Sequence, residues 1–267
     1  MFNQTAYALG ANRSCIRELF EYGRSRAAIV GPENVYDYSL GNPSIPSPKG
    51  VNDAIRDILL DTPSLLVHGY TSATGDLEAR KAISRDLNAR YSADTKPEEF
   101  FLGCGAAPEL CSVFRALSVP GGELIAVAPY FPEYRPFAQE AGLQFKVVPP
   151  DVPDFQISLP RLEALITPHT QAVLINTPNN PSGVVYTRET LQELAALLTR
   201  KAEHYGHPIY LISDEPYREL AYGVEVPFVP GIYRDTLICY SYSKSLSLPG
   251  ERIGYVYVPQ AATDGKA

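Results

Sequence analysis

Lys244 is the residue best placed in this sequence to do covalent chemistry. It lies in Ser241-Tyr242-Ser243-Lys244, followed by Pro249-Gly250-Glu251-Arg252-Ile253-Gly254, so one amine is set among hydroxyls, an arginine and glycines. A lysine attacks a carbonyl only through its deprotonated fraction, and a nearby cation or a dry pocket lowers its pKa toward that condition. Arg252, eight residues on, supplies the cation. The group suits an amine that holds an aldehyde together with its phosphate. A second candidate is Gly103-Cys104-Gly105-Ala106-Ala107, which runs into Pro108, a residue tolerated in a first helical turn. Backbone N–H groups and a helix dipole there would suit phosphate, although a small-residue turn demanded by close packing reads equally well from this segment alone.

These residues need a frame, and the chain supplies an alternating one. Apolar runs at Leu124–Ala128, Phe145–Val148, Ala172–Asn176, Ile209–Ser213, Leu237–Tyr240 and Ile253–Val258 read as strands. Helical periodicity marks Ser14 to about Ala28, then Val51, Ala54, Ile55, Ile58 and Leu59, then Ile83, Leu87 and Tyr91 after an Asp76 N-cap. Two more helices follow, one from Pro108 through Leu110, Val113, Phe114 and Leu117, the other after Thr187 through Leu191, Leu194, Ala195, Leu198 and Ala202. Each apolar stripe is expected to pack in the core. The order predicts an α/β fold, a mainly parallel sheet sandwiched by helices. Ligands of such sheets bind beyond the carboxyl ends of the strands, and Asn176, Asp214 and Ser241 each end an apolar run.

At 267 residues, 45% hydrophobic and 20% charged, the chain can bury a sizeable core, as one large domain with part of a second. Its net charge is −7 and its basic residues form no runs, which argues against nucleic-acid and membrane partners and for small molecules. No stretch reaches membrane-span length and no secretory leader is visible, so a cytoplasmic location is expected. Cys15, Cys104, Cys111 and Cys239 form no paired motif and are expected to be reduced, buried small hydrophobes. His204 and His207 sit beside Gly206 and Pro208 at a helix end with no acidic ligand motif, so no metal is expected.

Three ordered motifs carry a resemblance across nearly the whole chain. S-x-S-K-x-x-x-x-P-G-x-R-x-G at Ser241–Gly254, Asn176-Thr177-Pro178-Asn179-Asn180-Pro181-Ser182-Gly183, and Ser213-Asp214-Glu215-Pro216-Tyr217 resemble motifs of the fold-type I aminotransferases of class I/II, which use pyridoxal 5′-phosphate (PLP). The resemblance implies that Lys244 carries PLP as a Schiff base and then moves the proton between substrate and cofactor. It implies that Asp214 keeps the pyridine nitrogen protonated, and that Asn180 and Tyr217 bind the phenolic oxygen. Tyr130 would stack on the ring. Ser241, Arg252 and the backbone of Gly105, Ala106 and Ala107 would hold the phosphate. Family members often have Ser or Thr where this chain has Cys104 and Ala106, so backbone donors would carry more of that load. Tyr70, in His68-Gly69-Tyr70-Thr71, would reach the phosphate of a neighbouring subunit, which implies a homodimer. Gly41, in Leu40-Gly41-Asn42-Pro43, would bring its backbone, with Asn180, to the substrate carboxylate; read without the family, that loop is a proline-rich surface turn.

The implied reaction passes an amino group between an amino acid and a 2-oxo acid. The implied layout is an N-terminal arm with part of a small domain over 1–45 and a PLP-binding large domain over 46–267. Relatives continue beyond the position where this sequence stops, into a segment that supplies an arginine for the substrate carboxylate. A C-terminally truncated, impaired enzyme with exposed apolar surface is therefore expected. Two other functions share the scaffold. A PLP-dependent carbon–sulfur lyase would use the same Asp214, Lys244 and Arg252. A non-enzymatic PLP-binding effector domain would need a basic DNA-binding segment, and none precedes Tyr36.

Overall fold

The computed structural model describes residues 2, 4–11 and 15–266. They divide into two compact units, Met1–Pro46 and Ser47–Ala267. The first holds helices α1 (Gln4–Ala11) and α2 (Cys15–Val30) and a loop in which Asp37 accepts hydrogen bonds from the Ser39 N–H and hydroxyl. The start expected for α2 at Ser14 lies outside the described residues.

In the second unit a seven-stranded sheet runs β1-β7-β6-β5-β4-β2-β3. The strands are β1 (Phe100–Gly103), β2 (Glu123–Val127), β3 (Gln144–Val148), β4 (Thr170–Asn176), β5 (Tyr210–Asp214), β6 (Thr236–Ser241) and β7 (Gly254–Tyr257). Pairing from β3 to β6 is parallel, while β7 runs antiparallel to both β6 and β1. Six strands fall where the apolar runs predict them. β1 was not expected, because four residues after Glu98-Glu99 are too few to show a pattern.

Helices follow as α3 (Lys49–Asp61), α4 (Ser64–Val67), α5 (Leu77–Tyr91), α6 (Ala106–Ala116), α7 (Tyr134–Ala141), α8 (Leu159–Leu165), α9 (Arg188–Tyr205) and α10 (Tyr242–Ser245). Side chains alternate across a strand, so neighbouring residues serve opposite layers. Leu124, Ala126, Ala172, Leu174 and Ile212 pack with Leu110, Val113 and Phe114 of α6 and Tyr134 and Ala138 of α7. Ile125, Val127, Val173, Ile175 and Leu211 pack instead with Leu162 of α8 and Leu191, Leu194 and Leu198 of α9. Ile83 and Leu87 of α5 cover Ile238, Tyr240, Tyr255 and Tyr257. Asp76 caps α5 by accepting from the Ala79 N–H at 2.8 Å, and Thr187 caps α9 by accepting from the Thr190 N–H at 3.1 Å.

Two expectations are corrected. The apolar stripes of α2 and α3 are not core: neither helix buries a residue, and Leu19, Ile58 and Leu59 are each more than half exposed. Periodicity reports an amphipathic face, not what covers it. Of the cysteines only Cys239, in the central strand β6, is buried; Cys15 at the start of α2, Cys104 in the turn before α6 and Cys111 on α6 are exposed.

Candidate active site

The carboxyl ends of β4, β5 and β6 bring the polar residues together. Asn176 pairs with Asp214 in register, and Asp214 pairs with Cys239. The Asn176 side-chain amide donates to the Asp214 carbonyl at 2.8 Å, and its oxygen accepts from the Asn180 N–H at 2.6 Å. This one side chain ties the β4 loop to the β5 end. The Asn180 amide then donates to the Tyr217 hydroxyl at 3.2 Å. Asn180, Asp214 and Tyr217, widely spaced in sequence, are joined in one network.

Asp214 is the electrostatic centre. Its side chain is buried, the Tyr134 hydroxyl donates to Oδ2, and Oδ1 has no hydrogen-bond partner. Burial pushes its pKa up to about 7, against the Tyr134 hydrogen bond and with the aid of the Glu215 charge. Such a carboxylate is poised to accept a hydrogen bond from a cation. Burial and the Asp214 charge raise the Tyr217 hydroxyl, while Asn180 lowers it.

Ser241 ends β6 and caps the single turn α10, accepting from the Ser243 N–H at 3.1 Å, and the two hydroxyls lie 2.7 Å apart. That turn carries Lys244, half-buried, with burial lowering its pKa. The turn is braced from behind. The Tyr240 hydroxyl lies 2.8 Å from the Ser245 hydroxyl, and the Tyr240 ring lies 4.6 Å beneath the guanidinium of buried Arg218, itself paired with Glu215 at 2.6 Å.

Arg252 adopts the left-handed backbone, φ 57°, which side chains other than glycine seldom take. The kink points its guanidinium back at the Ser243 hydroxyl at 3.4 Å and the Pro249 carbonyl at 3.0 Å. Gly105, φ 96°, stands at the N-cap of α6 against the same guanidinium: a Cβ there would lie 2.8 Å from Arg252 Nη2. The N–H groups of Ala106 and Ala107 open the helix, so the start of α6, Arg252, Ser243 and Ser241 form one anion cradle. The helix begins at Ala106, with Pro108 in its third position rather than at its start.

Tyr130 turns toward the sheet edge, where its ring meets Phe145 of β3 edge-on at 5.3 Å and its hydroxyl accepts from Arg135 at 3.3 Å. It also lies 6.3 Å from the Tyr134 ring, as does Phe131 at 5.6 Å. Tyr70 is fully exposed after α4. Gly41 belongs to the other unit, beside a turn in which the Asn42 N–H donates to the Leu40 carbonyl at 2.7 Å. Sequence reading missed Tyr134, and it placed Asn176 and Ser243 in motifs without assigning either a role. Asn176 had a signal, as the first residue of its motif. Tyr134 had none, being eighty positions from Asp214. Among the described residues no group of His, Cys, Asp and Glu is arranged to hold a metal.

The donor set fits PLP on the structure's own terms. A buried carboxylate oxygen without a partner suits a pyridinium N–H, an anion cradle suits a phosphate, and a half-buried lysine with a lowered pKa lies one turn from that cradle.

Known proteins bear on this geometry. Residues 33–265 match the family model described as aminotransferase class I and II. Aspartate aminotransferase of Thermotoga maritima is 34% identical over 87% of this chain and 60% of its own length. Aspartate/prephenate aminotransferase of Thermus thermophilus is 33% identical over 82% of this chain and 55% of its own. The crystal structure of an amino transferase from Eubacterium rectale superposes with a TM-score of 0.96 at 53% identity, covering 99% of this chain and 67% of that one. The chain thus spans 55–60% of the length of these two sequence relatives. With a family model matched over most of its residues and a near-identical fold at high identity, the chain belongs to the class I and II aminotransferases.

Proposed function

We propose that the protein moves an amino group between an amino acid and a 2-oxo acid with PLP held at Lys244. The family uses PLP, which when bound supplies the electron sink for cleaving a bond to the substrate α-carbon. The observation that carries the reading is the buried, partnerless Oδ1 of Asp214 at the end of β5, beside Asn180 and Tyr217. In this reading Asp214 holds a proton on the ring nitrogen, with Tyr134 fixing the carboxylate from the other side. Asn180 and Tyr217 would hold the phenolic oxygen. The start of α6, with Gly105, Ala106 and Ala107, binds the phosphate with Ser241, Ser243 and Arg252, and Tyr130 and Phe131 supply the aromatic wall. The Lys244 amine would hold the cofactor, and its deprotonated form would serve as the base that carries the proton to and from the substrate α-carbon. Its lowered pKa supports that role.

The reading extends to a homodimer in which Tyr70 serves the neighbouring subunit and Gly41 lies near the substrate carboxylate. Exposed Tyr70, Leu65 and Leu66 support the first part. The substrates proposed are small molecules, with no nucleic acid and no membrane, and the location is the cytoplasm; among the described residues no helix is long and apolar enough to cross a membrane. Incubating the protein with PLP, single amino acids and 2-oxoglutarate should produce glutamate. Pyruvate and ammonia from cystathionine, without glutamate from any donor, would overturn the transaminase assignment in favour of lyase chemistry.

A further inference from the structure

Glu109 is an unexplained charge at the centre of this fold. It lies four residues into α6, is 4% exposed, and neither carboxylate oxygen accepts a well-formed hydrogen bond. Two glycines make room for it. A Cβ on Gly103 would lie 2.6 Å from its Oε1 and one on Gly254 would lie 2.9 Å from its Oε2. Gly103 and Gly254 are register partners, at the end of β1 and the start of β7, so two strands omit side chains at the point where this carboxyl group sits. Such a group rests as the neutral acid unless a cation holds it ionised.

The groups around it are few. Arg252 faces it from the turn before β7 and Asp214 from β5, and the buried Cys239 thiol feels its charge from β6. On α7 the Tyr134 hydroxyl is engaged by Asp214. β1 offers only Phe100, Phe101, Leu102 and Gly103, and Tyr255 and Tyr257 of β7 pack in the cluster under α5. Arg252 is therefore the one cation facing Glu109 in this set. It is also the guanidinium that closes the anion cradle over Gly105.

We propose that Glu109 is a positioning residue of the phosphate cradle, acting through Arg252, and that its carboxyl group must be protonated for the cradle to hold a phosphate dianion tightly, so that cofactor binding takes up a proton. This rests on the PLP reading above. In the free protein burial pushes the Glu109 pKa up to about 7, against the pull of the Gly105 N–H and the Arg252 charge. A dianion on Arg252 offsets that guanidinium and adds negative charge, raising the value further. Below the free-state value Glu109 is protonated with or without the cofactor, and pH has no effect through it. Above it the free protein carries the carboxylate, binding must add a proton, and affinity falls by up to about tenfold per pH unit until the bound-state value is passed.

The test is PLP affinity of the whole chain, by fluorescence titration from about pH 6 to 8.5, for wild type, Glu109→Gln and Glu109→Ala. Pyridoxal, which lacks the phosphate, is the control probe. The wild-type Kd should match that of the Gln variant near pH 6 and exceed it by roughly tenfold near pH 8. Calorimetry in buffers of different ionisation heat should show an excess proton taken up by wild type with PLP but not with pyridoxal. Should the Gln variant fail to fold, the Ala variant and the wild-type contrast of the two probes decide the matter. Parallel pH profiles in wild type and variants, or equal proton uptake with both probes, overturn this inference and leave the PLP reading intact. Absence of PLP binding in every protein overturns both.

Discussion

Among single residues, Asp214 matters most to the site. In the fold it titrates at about 7 rather than 3.8, so between those values the folded state holds more protons than the unfolded one. Its contribution to stability is fully present below the unfolded value and is lost as pH rises through the folded one, at most about 1.4 kcal/mol per pH unit. Asp214→Asn should remove that loss. Melting of the cofactor-free protein should find the variant more stable than wild type near pH 8 and little changed near pH 4; an equal offset at both would contradict the assignment. Lys244, Asp214, Asn180, Ser241 and Arg252 were legible because motifs preserve local spacing. Tyr134 was not, because it meets Asp214 only through the fold, from eighty positions away, and Glu109 was not, because no local motif marks a helical carboxyl group that the fold buries.

At the element scale, two strand ends and one helix start set the site. Gly254 opens β7 so close to β6 that a Cβ would lie 2.3 Å from the Tyr240 carbonyl, a backbone atom that cannot swing away. Gly254→Ala should cost about 2 kcal/mol or more in denaturant unfolding, and an unchanged midpoint would show that the strands separate readily. Gly105→Ala acts differently. There the obstacle is the Arg252 guanidinium and a positive φ, so the expected result is weaker PLP binding as well as lower stability. Thr187→Ala removes the cap of α9 far from the cradle and should cost about 1 kcal/mol with PLP affinity unchanged. Alternation and caps made β2 to β7, α5 and α9 readable, whereas β1 and α10 are too short to carry a period and exist through their tertiary pairing.

At the scale of the whole molecule, the apolar surface of α3 and α4 stands out. Ile58, Leu59, Leu65 and Leu66 are each more than half exposed, near Tyr70 in sequence. The homodimer reading predicts that sedimentation finds a dimer, and that Leu59→Lys with Leu66→Lys shifts it to monomer without unfolding the sheet. The sequence announced this amphipathic face but not its exposure, since periodicity is the same whether a helix covers its own core or another chain. The family was legible for a different reason: three motifs in order restrict the possibilities far more than any one does. Whether Lys244 carries PLP in the cradle beside Asp214 is decided by incubating the protein with PLP, reducing with borohydride and mapping the labelled peptide by mass spectrometry. A single phosphopyridoxyl group on Lys244, absent from Lys244→Ala, is the expected result; a label on another lysine, or none on wild type, would place the cofactor elsewhere.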